Sequence, residues 1–154
     1  MMQHTPTRRH VLALAAALLR PGAAGAQGRA IAVYRDPSCG CCGGWIAHLR
    51  RSGFTVSVDE TSELSAVKDR LAVPEELHAC HTAQVASYVV EGHVPAHALE
   101  RLLAEKPKLA GLAVPGMPVG SPGMEGGPPE VYEVIGFEGP RRVGYGRYRG
   151  ASPV

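Results

Sequence analysis

Hydrophobic and polar positions along the first half of the chain follow two periodicities. The short apolar run 30–34 predicts a buried first strand, and residues 54–59 alternate in hydrophobicity as a half-buried second strand. Residues 45–50 have the spacing of an amphipathic helix, and a second helical pattern covers residues 62–71. The first half therefore predicts a strand-helix-strand-helix unit.

The second half of the chain is less regular. Residues 85–90 read as a strand, and a helix is predicted to start at Pro95 and to run to Glu105. Between residues 111 and 129, 6 glycines and 5 prolines fill 19 positions, so no regular element is expected there. Residues 131–148 then predict a hairpin with its turn at Gly139. These patterns indicate an α/β domain with one long irregular segment.

The first 26 residues have the pattern of a secretory signal peptide. Arg8 and Arg9 precede an apolar run at 11–19, and a small-residue sequence ends at Ala26. The run is too short to cross a bilayer, which takes about 20 residues, and the paired arginines suggest export in a folded state. The alternative is an amphipathic N-terminal helix. Cleavage after Ala26 predicts an exported, periplasmic protein that is not inserted in the membrane.

Removal of that segment changes the domain bounds and the charge. The remaining chain is predicted to form one domain over residues 27–150 with a short C-terminal tail at 151–154. Because the segment carries three arginines and no acidic residue, its loss takes the formal net charge from +2 to −1. No basic tract remains that could neutralise phosphates, which argues against nucleic acid as a partner.

Three of the four cysteines lie within four residues. Cys39, Cys41 and Cys42 stand between the first predicted strand and helix, where a helix N-terminus favours a negatively charged sulfur. Three thiols cannot all pair with one another, and Cys80 supplies a fourth. The four cysteines could therefore form either two disulfides or one soft-metal site. Stabilising disulfides are the alternative, but cysteines this close in sequence would close almost no loop.

Other soft ligands accompany the thiols. His81 follows Cys80 directly, and the two methionines that remain after residue 26, Met117 and Met124, both lie in the glycine- and proline-rich segment. Thiolate, imidazole and thioether together favour Cu(I). Zinc is the alternative for the cysteines, although it does not use methionine. His93 is assigned to a surface or capping role.

Four motifs occur in order along the chain. They are Cys39-Gly40-Cys41-Cys42-Gly43-Gly44-Trp45, Cys80-His81-Thr82, the run 89–95 and the run 111–125. With these motifs, over about residues 30–148, the chain resembles the CopG-type family of exported, thioredoxin-like metal-binding proteins linked to bacterial copper resistance. The resemblance implies a thioredoxin-like α/β fold, with a central mixed sheet flanked by helices and an inserted strand-helix segment before the last hairpin. It also implies copper binding at the Cys-x-Cys-Cys cluster and near Cys80.

Two functions follow from these observations. In the first, the protein binds Cu(I) through Cys39, Cys41, Cys42 and Cys80, and His81, Met117 and Met124 complete the site. Its partners would then be copper ions and periplasmic copper carriers or thiol reductants. In the second, the protein is a thiol-disulfide or Cu(II)-reducing oxidoreductase in which Cys39 or Cys42 is the reactive thiol. Metal binding is favoured because a dithiol enzyme needs two cysteines and this chain has four.

Overall fold

A computed structural model describes residues 29–154, so the predicted signal peptide lies outside the described residues. The elements are one eight-stranded sheet, three α-helices and one short 3-10 helix. The strands are β1 (Ala30–Arg35), β2 (Thr55–Glu60), β3 (His81–Val85), β4 (Tyr88–Gly92), β5 (Gly111–Val114), β6 (Val131–Glu138), β7 (Arg141–Arg149) and β8 (Ser152–Pro153). The helices are α1 (Gly40–Arg51), α2 (Leu64–Arg70), the 3-10 helix Glu75–Leu77 and α3 (Ala96–Glu105).

The strands lie in the order β2-β1-β3-β4-β5-β6-β7-β8. The pairs β1/β2 and β4/β5 are parallel, and each of the other neighbouring pairs is antiparallel. A parallel pair needs a crossover connection, which α1 provides for the first pair and α3 for the second. The prediction of a mixed sheet flanked by helices is therefore confirmed.

Both faces of the central strands are buried. Val90 of β4 and Leu112 of β5 pack with Leu49 of α1 and Leu99 of α3 in the larger core. Their neighbours in sequence point to the opposite face, where a smaller core contains, among others, Val73, Leu77, Val89, Ala113 and Phe137. The sheet thus separates the α1 face from the face that carries α2.

Two predictions about the second half were wrong. The single strand predicted at 85–90 contains the turn of a hairpin: residues 88–90 belong to β4, but Ala86 and Ser87 join β3 to β4, and Ala86 has a positive φ of 51°. The segment 111–129 was expected to lack regular structure, but its first four residues form β5. Since β5 is buried on both faces, it reads as a continuous apolar run without alternation.

The remaining predictions about elements agree more closely with the structure. The helix predicted from Pro95 to Glu105 is α3, with Pro95 as its N-cap residue. The last hairpin is formed by β6 and β7, and residues 152 and 153 of the C-terminal segment pair with β7 as β8. Within residues 29–154, no helix combines the length and the apolar character that crossing a membrane requires.

Candidate metal centre

The first turn of α1 carries three of the four cysteines. The chain leaves β1 at Arg35 and turns at Asp36, whose carbonyl accepts a hydrogen bond from the Cys39 amide (3.0 Å). Cys39 is the N-cap residue of α1, and Cys41 and Cys42 lie inside its first turn. No acidic residue occupies that turn. The N-terminus of α1, with its free N–H groups and no acidic side chain, therefore lies at the cysteines.

The four sulfurs lie together in two pairs. Cys39 and Cys42 form a disulfide, whereas Cys41 and Cys80 are free thiols. The Cys41 sulfur lies 3.6 Å from that of Cys39 and 3.7 Å from that of Cys80. We call Cys39, Cys41, Cys42 and Cys80 the thiol cluster, since their Sγ atoms all lie within 4.8 Å of one another.

The β3–β4 hairpin brings Cys80 beside two histidines. Thr82 pairs with Glu91 across the hairpin, and the same register continued by two residues places Cys80 opposite His93. The Cys80 sulfur lies 3.2 Å from Nδ1 of His81 and 3.0 Å from Nε2 of His93. We call His81 and His93 the histidine pair; with Cys80 they form a second set of three potential ligands.

Burial keeps these groups uncharged in the free protein. Burial, together with the neighbouring Cys41, raises the pKa of the Cys80 thiol to about 12. Burial also lowers the pKa of His93, and it lowers the pKa of the fully buried His81 well below the ordinary histidine value, with His93 as a further cause. Both imidazoles are therefore neutral at pH 7, which is the form that binds metal ions.

The Pro122 carbonyl holds the His93 imidazole by a hydrogen bond, whereas the His81 ring packs against Trp45. A carbonyl can only accept a hydrogen bond, so Nδ1 of His93 donates to the Pro122 carbonyl (2.7 Å) and its Nε2 lone pair faces Cys80. The indole ring of Trp45 lies 4.3 Å from the His81 ring, and its Nε1 donates to the Val94 carbonyl (2.8 Å). Nε2 of His81 is buried and has no hydrogen-bond partner within the described chain.

The segment of residues 115–130, which we call the glycine–proline loop, packs against the start of α1. A Cβ atom at Gly44 would lie 2.8 Å from the Cα of Gly123, and one at Gly123 would lie 2.7 Å from the Cys41 carbonyl oxygen. Only two glycines allow the two backbones to approach this closely. This contact sets Pro122, the partner of His93, over the site.

The structure brings together five of the seven predicted metal ligands, the cysteines and His81. Cys39, Cys41, Cys42, Cys80 and His81 meet at one place. Met124 follows Gly123 and is half-buried, whereas Met117 is 40% exposed with a positive φ of 48°. The metal roles of both methionines stay predictions.

Two features of the site were missed at the level of sequence. His93 was assigned to the surface, but it is fully buried beside Cys80. Glu91 and Lys68 form a buried ion pair on the opposite face of the sheet. The position of His93 could have been predicted only from the β3–β4 hairpin. Once the turn is placed at residues 86 and 87, the strand register puts His93 opposite Cys80. The burial of Glu91 and Lys68 could not be predicted from the sequence, because a single charged residue in a strand or helix pattern is normally predicted to face the solvent.

Comparison with known proteins places the chain among relatives of known structure. Residues 77–124 match a family described as "Protein of unknown function, DUF411". The chain is 46% identical to two solved structures titled "Copper resistance protein copG", Form 2 and Form 1, each with a TM-score of 0.73. The alignments cover 77% and 79% of this chain and 97% and 98% of those chains. No protein with a curated description matches the chain.

Proposed function

Because the chain belongs to the CopG-type family of copper-resistance proteins, we propose that it binds copper as Cu(I) in copper resistance. The observation that carries the proposal is the meeting of four sulfurs and two neutral imidazoles within a few ångströms. Among the described residues, both sets of potential ligands consist of sulfur and imidazole donors without a carboxylate, which suits a soft, singly charged ion. The unpartnered Nε2 of His81 leaves that ring without a second anchor in the free protein.

The arrangement supports the binding of more than one copper ion. Cys80 belongs both to the thiol cluster and to the set that it forms with the histidine pair. A thiolate can bridge two metal ions, so two adjacent ions can share the Cys80 sulfur. Binding by all four sulfurs requires reduction of the Cys39–Cys42 disulfide and loss of the Cys80 proton, so full occupancy needs reducing conditions and releases protons.

A competition titration tests this proposal directly. The reduced protein, handled without oxygen, is expected to hold more than one Cu(I) against a chromophoric Cu(I) chelator. The protein with its disulfide intact is expected to hold fewer ions, because two sulfurs are unavailable. A parallel titration with Zn²⁺ measures whether the site prefers copper to zinc, the alternative metal. A single weakly held copper, or tighter retention of zinc, would contradict the proposal.

The proposal also includes the cellular location of the protein, its partners and a thioredoxin-like fold. We infer export to the periplasm, with copper carriers or thiol reductants as partners. The order β2-β1-β3-β4, in which β3 alone runs in the opposite direction, supports a thioredoxin-like unit from β1 to α3. An inserted strand-helix segment relative to that fold stays a prediction.

The Cys39–Cys42 disulfide favours a second function, thiol-disulfide or copper redox chemistry. Cys39 is half-buried and Cys42 fully buried, so Cys39 is the accessible sulfur. In the reduced protein, the Cys39 thiolate would attack a substrate disulfide and release one substrate thiolate. Cys42 would then attack Cys39, re-form the disulfide and release the second. The same dithiol could give one electron to each of two Cu(II) ions, with loss of two protons.

Substitution of Cys42 tests this second function. With dithiothreitol as reductant, the wild-type protein is expected to reduce insulin disulfides well above the rate of dithiothreitol alone. Cys42→Ser is expected to lose most of that excess, because Cys42 is the disulfide partner of Cys39. When Cys41 and Cys80 are also replaced by serine, the mixed disulfide at Cys39 has no neighbouring thiol to resolve it, and the trapped species is expected to accumulate in a mass spectrum. A wild-type rate equal to that of dithiothreitol alone would leave metal binding as the only proposed function.

A further inference from the structure

A buried ion pair lies on the face of the sheet opposite α1. Lys68 of α2 donates a hydrogen bond to the carboxylate of Glu91 in β4. Lys68 is 5% exposed and Glu91 is fully buried. The Lys68 ammonium also donates to the Thr82 hydroxyl (2.8 Å). A buried ion pair of this kind contributes little net stability compared with apolar side chains of the same volume. The fold alone therefore does not explain these charges.

The Glu91 carboxylate also bonds to the chain on both sides of Cys80. Its Oε1 accepts a hydrogen bond from the Ala79 amide (2.6 Å), and its Oε2 accepts one from the Thr82 hydroxyl (2.7 Å). Ala79 is the residue before Cys80, and Thr82 lies two residues after it. One carboxylate thus holds the dipeptide Cys80–His81, which points its sulfur and ring toward the α1 side.

The same segment packs closely against the next strand. A Cβ atom at Gly92, the residue after Glu91, would lie 2.7 Å from the Cβ of Ala79 and 2.6 Å from the Val114 carbonyl oxygen. The segment that precedes β3 is therefore held against β4 by a close packing contact and by the Glu91 carboxylate. A substitution of Glu91 can remove the carboxylate restraint and leave this packing contact in place.

We propose that Glu91 is a positioning residue of the copper site, whose buried carboxylate fixes Cys80 through the Ala79 amide and the Thr82 hydroxyl. Lys68 compensates the charge that this carboxylate brings into the interior. The effect on copper rests on the proposed function, whereas the restraint on Cys80 is independent of it. Glu91 acts on the metal ligand from the far face of the sheet, and its hydrogen bonds within the described residues go to Lys68, Ala79 and Thr82 rather than to the thiol cluster.

Two double variants separate the hydrogen bond from the charge. Lys68→Met with Glu91→Leu removes the ion pair and leaves the Ala79 amide without an acceptor. Lys68→Met with Glu91→Gln removes the same charges but keeps a carbonyl oxygen in the place of Oε1. Both pairs keep the buried volume, and we expect both proteins to unfold cooperatively near the wild-type temperature.

Three measurements on the reduced proteins decide the proposal. The Leu variant is expected to lose about tenfold or more in Cu(I) affinity, and its Cys80 to react with iodoacetamide several times faster, as followed by peptide mass spectrometry. The Gln variant is expected to stay close to wild type in both. In the wild type, the Ala79 amide is expected to exchange with deuterium as slowly as the amides of β3.

The outcomes are separable. Equal behaviour of the two double variants in alkylation, whether both match the wild type or both depart from it, would overturn the proposal. If the Leu variant does not fold, rapid exchange of the Ala79 amide in the wild type would overturn it and slow exchange would support it. If the wild type itself holds no Cu(I), the proposed function fails, and alkylation and exchange still decide the role of Glu91.

Discussion

Cys80→Ser is expected to remove at least one Cu(I) from the reduced protein and to weaken the remaining copper by about 100-fold. Cys80 is the only residue that belongs to both sets of potential ligands, so its loss separates the Cys-x-Cys-Cys turn from the histidine pair. A serine hydroxyl fills nearly the same space but is a hard, weak donor for Cu(I). The measurement is the anaerobic chelator titration, with elemental analysis of the retained copper.

The same substitution is expected to leave the fold intact. Cys80 is half-buried and free, so its replacement breaks no disulfide and opens no large cavity. We expect the free energy of unfolding to change by less than about 1 kcal/mol. Ser87→Ala, at the exposed turn of the same hairpin, is the control and should bind copper as the wild type does. Unchanged stoichiometry and affinity in Cys80→Ser would remove Cys80 from the site.

Gly44→Ala is expected to destabilise the protein and to weaken copper binding together. The added Cβ would lie 2.8 Å from the Cα of Gly123, a backbone atom that can move only with the glycine–proline loop. We expect the free energy of unfolding to fall by about 1–3 kcal/mol. Displacement of the loop also removes the Pro122 carbonyl that orients His93, so Cu(I) affinity should fall by about tenfold.

The neighbouring glycine provides a matched control. Gly43 lies in the same helix and has no atom within 4 Å of an added Cβ. Gly43→Ala is therefore expected to raise the free energy of unfolding by about 0.5–1 kcal/mol, as alanine does in a helix interior. Urea unfolding and copper titration of both variants make the comparison. Similar effects of the two substitutions would show that the contact between Gly44 and Gly123 does not hold the loop.

Local periodicity was enough to predict the first half of the fold. The elements β1, α1, β2 and α2 each carry a signal within their own residues, and their order was predicted correctly. The β3–β4 hairpin carried no such signal. Its turn, Ala86-Ser87, contains neither the glycine nor the asparagine that marks a two-residue turn, and β3 begins with a buried histidine and a buried threonine that read as polar.

The same distinction applies to the site. The three cysteines of α1 are close in sequence, so their proximity in space was predictable, and Cys80 with His81 stood out as a pair of soft donors. His93 was not predictable, because its place depends on the register between two strands. The ion pair of Lys68 and Glu91 joins a helix to a strand 23 residues later. Nothing in either local pattern indicates that these charges are buried.

The short spacing of the disulfide has a consequence for the order of events during folding. Cys39 and Cys42 are three residues apart and can meet in an unfolded chain, whereas Cys41 and Cys80 are 39 residues apart and meet only when β1 pairs with β3. Closing the longer loop in an unfolded chain costs about 2 kcal/mol more entropy than closing the shorter one. In an oxidising compartment, the local bond therefore forms first. Cys80 then stays unpaired until the pairing of β1 with β3 brings it to the other three cysteines. A non-native disulfide between Cys80 and one of those cysteines is therefore disfavoured during folding.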